Sequence, residues 1–125
     1  MFVNGGAKIR RTFRKIQCWK VVVWDNEHSI WTGPFYKGDS YVEGKMLKSD
    51  KRIEVENNLV DHGLHTYADE FDARNCLKIM SRYRLGRYRL VCCEIPRFCR
   101  YIEGGKPSNG ERCYVSEKLR VVKFV

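Results

Sequence analysis

The sequence predicts an α+β fold: a single domain with a largely antiparallel sheet and one main helix. Two observations carry that expectation. Short runs rich in β-branched and aromatic residues recur along the chain, separated by glycine, proline and asparagine. Against them stands one convincing helical stripe, over about 69–82. Strands, then one helix, then more strands is the α+β pattern. A length of 125 residues, 43% hydrophobic and 31% charged, suits one globular domain with a core of its own.

The elements follow in order. Residues 1–16 read as a basic N-terminal arm ahead of a domain over 17–125. Ile9, Phe13 and Ile16 recur at helical spacing, so the arm is either a short amphipathic helix or a segment that orders on binding. Trp19–Trp24 is the clearest strand. Asp25-Asn26-Glu27 turns it, and Ser29–Thr32 returns as its hairpin partner. Gly33-Pro34 ends that pair. Tyr41–Lys45 is an extended piece, and Arg52–Glu56 alternates Ile53 and Val55 with charges as a half-exposed strand. Asn57-Asn58 turns, and Gly63–Tyr67 forms another strand.

The helix places Phe71, Ala73, Cys76, Leu77 and Met80 on one stripe. Acids crowd its first turn and Lys78 and Arg82 its end, an order that complements the helix dipole. Thr66 or Asp69 caps it. Gly86 breaks the chain into a strand over Tyr88–Ile95, which Pro96 stops. Gly104–Gly110 is a loop of turn formers, and Tyr114-Val115 and Leu119–Val125 close the sheet.

Charge is segregated. Residues 1–24 carry six Lys/Arg and no acid, 25–72 five bases and eleven acids, and 73–125 thirteen bases and four acids, within a total of +9. Basic faces attract polyanions. The densest cluster is Arg82-Tyr83-Arg84-Leu85-Gly86-Arg87-Tyr88-Arg89. Arginine grips phosphate with a planar fork of donors, and tyrosine stacks on bases or packs in a core. On a strand Arg87 and Arg89 share one face with Tyr88 on the other, which makes Tyr83 the better stacking residue. Candidate nucleic-acid contacts are therefore Arg82, Tyr83, Arg84, Arg87 and Arg89, with Lys8, Arg10, Arg11, Arg14 and Lys15 of the arm.

Other chemistry is sparse. Six cysteines, Cys18, Cys76, Cys92, Cys93, Cys99 and Cys113, would suggest three disulfides in a secreted chain, but without a signal peptide free thiols are expected. A zinc site on Cys93, Cys99 and Cys113 with a histidine is disfavoured because no Cys-x-x-Cys occurs. Cys92 and Cys93 should face opposite sides of their strand. His65 is the candidate pocket residue, read either as a general base or phosphate ligand beside Glu94 or arginines, or as a hydrogen-bonded core histidine. The carboxylates include no Asp-x-Asp, and Gly104-Gly105-Lys106 lacks phosphate-loop spacing. No catalytic residue, metal or cofactor is assigned. No apolar run is long enough to cross a bilayer, and no signal-like stretch follows the basic start, so the expected setting is cytoplasmic.

The order of pieces is similar to small uncharacterised proteins of bacteriophages and mobile elements. The matching residues are Tyr41-Val42-Glu43-Gly44-Lys45, Gly63-Leu64-His65 before the helix, and Cys93-Glu94-Ile95 in the strand after it. The resemblance covers roughly 18–125 and implies a fold and a host-cell context. Three functions follow as expectations. The first is a non-enzymatic accessory protein that binds nucleic acid or a host nucleoprotein complex through phosphate contacts. The second is an inhibitor of a host defence system that docks on a protein. The third is an enzyme on a nucleotide or other phosphate-containing substrate, centred on His65.

Overall fold

The computed structural model describes residues 8–34, 38–56, 59–60, 62–105 and 112–125. Among them run β1 (Arg10–Arg11), β2 (Ile16–Asp25), β3 (Ile30–Thr32), β4 (Met46–Lys48) and β5 (Leu64–Tyr67). There follow α1 (Glu70–Tyr83), β6 (Tyr88–Ile95), β7 (Arg100–Gly105), β8 (Arg112–Ser116) and β9 (Lys118–Phe124). All described pairings are antiparallel, in the order β1-β7-β8-β5-β2-β6-β9-β4, with β3 beside β2. The fold is α+β, as the strand and helix patterns predict.

β2 and β6 form the spine, paired from Ile16↔Ile95 to Val23↔Tyr88. Their β-branched and cysteine side chains fill both faces. On one face Cys18, Val22, Val91, Cys93 and Ile95 join Leu47, Leu119 and Val121 in the largest core cluster. On the other, Val21 and Leu90 meet Ala73 and Met80 of α1. Cys92 and Cys93 are both buried, with a register shift between them. Cys18, Cys76, Cys92, Cys93 and Cys99 are free thiols.

The sheet has to curl. β8 and β9 are separated in it by β5, β2 and β6, yet Glu117 alone links them in sequence. Glu117 is tied on every side. Its N–H donates to the Arg100 carbonyl and its own carbonyl accepts from Ser49 N. Its carboxylate accepts from Ile53 N at 3.0 Å and lies 3.5 Å from the Arg100 guanidinium.

Four sequence expectations need correction. The arm is neither helical nor unpaired over its described part: Arg10 and Arg11 pair with Tyr101 and Arg100 of β7. Residues 1–7 lie outside the described structure, as do Asn57-Asn58. Near Tyr41–Lys45 the strand is Met46–Lys48, because Glu43-Gly44 turns, with Gly44 at φ +82°. Arg52–Glu56 forms no strand. Ile53 gives its N–H to the Glu117 carboxylate instead of a ladder, and packs with Val60 on Ile102 and Val115. Finally, Gly104 and Gly105 end strand β7 rather than begin a loop. Residues 106–111 are outside the description.

The helix obeys its dipole and capping signals. Asp69, not Thr66, is the cap, and its carboxylate accepts from Phe71 N at 2.8 Å. Phe71 departs from the predicted stripe and is exposed; Ala73 and Met80 are the buried positions. No helix among the described residues is long and apolar enough to cross a membrane.

Candidate functional site

The ten basic and aromatic residues predicted to touch nucleic acid fall into two groups at opposite ends of the spine. The arm lies by the Ile16↔Ile95 end and the Arg82–Arg89 corner by the Val23↔Tyr88 end. Seven residues of strand separate them, roughly 23 Å at 3.3 Å per residue.

The arm end is built by backbone bonds. Thr12 N donates to the Cys99 carbonyl and Phe98 N to the Thr12 carbonyl. The Thr12 hydroxyl donates to the Pro96 carbonyl at 2.6 Å and accepts from Cys99 N at 3.0 Å. Two side chains extend the clamp: Arg11 donates to the Phe98 carbonyl and Arg97 to the Phe13 carbonyl. The result is a rigid knuckle. Phe13 is 83% and Phe98 61% exposed, and Phe98 holds a left-handed φ of 62°. Flanking the two phenylalanines along the chain are exposed Arg10, Arg11, Arg14, Lys15 and Arg97, with exposed Lys8 just before them. Arg97 stacks on Phe98 at 5.0 Å. Only Glu94, 3.9 Å from Lys15, offsets the charge in this group among the described ion pairs. Sequence reading missed Arg97 and Phe98. Their one signal is the Pro96 that stops β6 and delivers a basic–aromatic pair into the turn.

Arg82, Tyr83, Arg84 and Leu85 are exposed where α1 ends. Arg84 N still donates to the Met80 carbonyl, and Gly86 takes φ +133° to redirect the chain. Arg87 and Arg89 share a face, as strand geometry requires. Both guanidiniums lie over Trp31, at 5.8 and 5.7 Å, and Arg89 also over Phe124 at 4.8 Å. Stacking uses a guanidinium's face and leaves its edge donors for phosphate. Tyr88 packs partly under α1 and donates its hydroxyl to the Leu85 carbonyl, while Tyr83 stands out in solvent. The two tyrosines thus divide as the strand and helix periods predict.

His65 is in a different place. One edge of β2 belongs to β6. The other is shared: Trp19 pairs with Tyr67 of β5, and Val23–Asp25 with β3. Lys20–Val22 fall in the gap between these partners, and a cavity of about 180 Å³ opens there. Its walls are Val21, Pro34, Tyr67 and Met80; its polar side chains include Lys20, His65, Cys76 and Cys113. Lys20 Nζ donates to the His65 carbonyl at 2.9 Å. Burial, with Lys20 nearby, pulls the His65 imidazole down to about 4, so it is neutral at pH 7. Burial also pulls the Lys20 amine below the usual lysine range. Lys20 keeps some solvent contact.

Glu94, expected beside His65, pairs with Lys15 and Arg120. The cysteines considered for zinc do not converge: Cys93 and Cys99 lie in the main core cluster and Cys113 on the cavity. Among the described residues the grouped metal-type side chains are Asp25, Glu27 and His28 at the β2–β3 turn. There Asp25 already serves the turn, accepting from Glu27 N and His28 N and bonding the His28 ring at 2.8 Å.

No family model, curated protein or solved structure matches the chain.

Proposed function

We propose that the protein binds nucleic acid, non-enzymatically, with the arm knuckle as the principal contact and the Arg82–Arg89 corner as a second. The observation that carries this reading is the knuckle itself. Two exposed phenyl rings are carried by a backbone-bonded clamp flanked by five exposed cations, of which Lys15 alone has an acidic partner among the described ion pairs. Single-stranded nucleic acid is bound by that combination of a cationic track and aromatic platforms. The folded clamp lowers the ordering cost on binding.

Fluorescence anisotropy with a labelled single strand and a duplex, between low and moderate salt, tests it. Binding should weaken steeply with salt, with little sequence preference. Replacing Arg10, Arg11 and Arg14 by alanine should flatten the slope by about two to three phosphate contacts. Phe13→Ala with Phe98→Ala should cost single-strand affinity about tenfold or more. An affinity that is flat with salt sinks the proposal.

The reading as an inhibitor of host defence draws on a different feature. Ile79, Tyr83 and Leu85 form an exposed apolar row beside Arg82 and Arg84. A pull-down from nuclease-treated host lysate separates the two. One protein partner retained by the wild type and lost with Ile79→Glu favours inhibition.

A further inference from the structure

The cavity between β3 and β5 holds an amine in an unusual setting. Lys20 lies within a strand, at a point where β2 has no ladder neighbour on one edge among the described residues. Among the described residues it makes no ion pair with a carboxylate. Its Nζ reaches a backbone carbonyl instead. Around it stand Val21, Pro34, Tyr67 and Met80, with the His65 imidazole on the same wall. Desolvation disfavours ammonium, and nothing described here strongly restores it. Asp39 and the thiols of Cys76, Cys93 and Cys113 favour the charged form only as lesser influences, and the neutral His65 adds none. An amine whose charged form is disfavoured in a largely apolar pocket is a better nucleophile toward carbonyl carbon than a solvated lysine.

We infer that Lys20 is a carbonyl-capturing amine, and that its cavity takes a small aldehyde with an apolar body of about one six-membered ring. Size sets the second part. An engineered cavity of about 150 Å³ admits benzene, and this one offers about 180 Å³. In the capture step the Nζ lone pair attacks the carbonyl carbon and the C=O π pair moves to oxygen. That oxygen takes up the proton nitrogen sheds, giving a carbinolamine. Loss of hydroxyl and the remaining N–H proton as water leaves a C=N bond to Lys20. No electrons are gained or lost. Of the residues lining the cavity, His65 is the one whose side chain, neutral at pH 7, can relay that proton.

Benzaldehyde with cyanoborohydride at pH 6–7 tests this, because reduction fixes the imine as a benzyl adduct that peptide mass spectrometry locates. Exposed Lys8, Lys15, Lys45, Lys118 and Lys123 serve as internal references. Lys20 should label at least about tenfold faster than these, since each unit of lowered pKa raises the neutral fraction tenfold. Lys20→Arg keeps a donor for the His65 carbonyl and cannot form an imine; it should lose the fast adduct and keep the slow ones. If that variant does not fold, adduct mapping in the wild-type protein decides alone. Labelling spread evenly over the reference lysines overturns the inference. So does an unlabelled Lys20 in a protein that benzoate stabilises against heat, which would mark an anion site.

Discussion

Gly63 shows how one missing side chain keeps β5 in place. It holds φ +109°, and a Cβ there would come within 2.4 Å of Val115 Cγ1 and 2.6 Å of Ile53 Cγ2. Both conformation and space forbid a side chain, so Gly63→Ala should cost about 2–3 kcal/mol in a urea unfolding series. His65, two residues on, makes a prediction about pH. Its folded pKa lies below the unfolded value, so the unfolded chain binds more protons between pH 6.5 and about 4. Stability from this group is whole above 6.5 and lost as pH falls through that window, by at most about 3 kcal/mol. Thermal melts of wild type and His65→Gln should converge in pH dependence above 6.5 and separate below it, the variant showing the flatter curve. The sequence made His65 conspicuous but not its surroundings. Lys20 is 45 residues away, and only the pairing of Trp19 with Tyr67 brings the two together.

Elements whose own residues decide their state were legible. β2 and β6 are β-branched runs bounded by turn formers, and α1 carries its cap, stripe and charge order within one segment. Asp69→Ala should remove the bond to Phe71 N and cost about 1 kcal/mol, lowering the melting temperature by about 4 °C. Elements decided by a distant partner were not legible. β7 ends in Gly104-Gly105, which reads as a loop until β8 supplies the facing ladder. Arg52–Glu56 alternates like a strand, but the Glu117 carboxylate intercepts the Ile53 N–H. The spacing of Ile9, Phe13 and Ile16 suggested an amphipathic helix or a segment that orders on binding, while the arm's binding to the sheet runs through backbone atoms of Arg10, Arg11 and Thr12 that no side-chain pattern reports.

For the molecule as a whole, the sequence revealed that charge is segregated but not where it gathers. One basic tally resolves into two patches about 23 Å apart along the β2–β6 spine. A ligand that engages both must have that reach. Single strands of about four nucleotides should bind at the knuckle alone and be indifferent to Arg82→Ala with Arg84→Ala. Strands of twelve or more should lose affinity in that double variant, through the avidity of a second contact. Equal losses at every length would mean that the corner and the knuckle are not used together.

The single-residue joint at Glu117 also sets a timetable. Strand β4, at 46–48, has β9 as its ladder partner, and β9 begins at 118. About seventy residues of chain must therefore be made before Met46–Lys48 can pair, and β6 must wait as well for its β9 side to be covered. Contacts this far apart in sequence slow folding and leave unpaired strand edges open meanwhile. During synthesis the nascent chain carries Leu47, Val91 and Cys93 without the strand that seals them. Strand β9 is thus the closing piece of the curled sheet, and the speed of its docking governs how long the chain is exposed to misassociation.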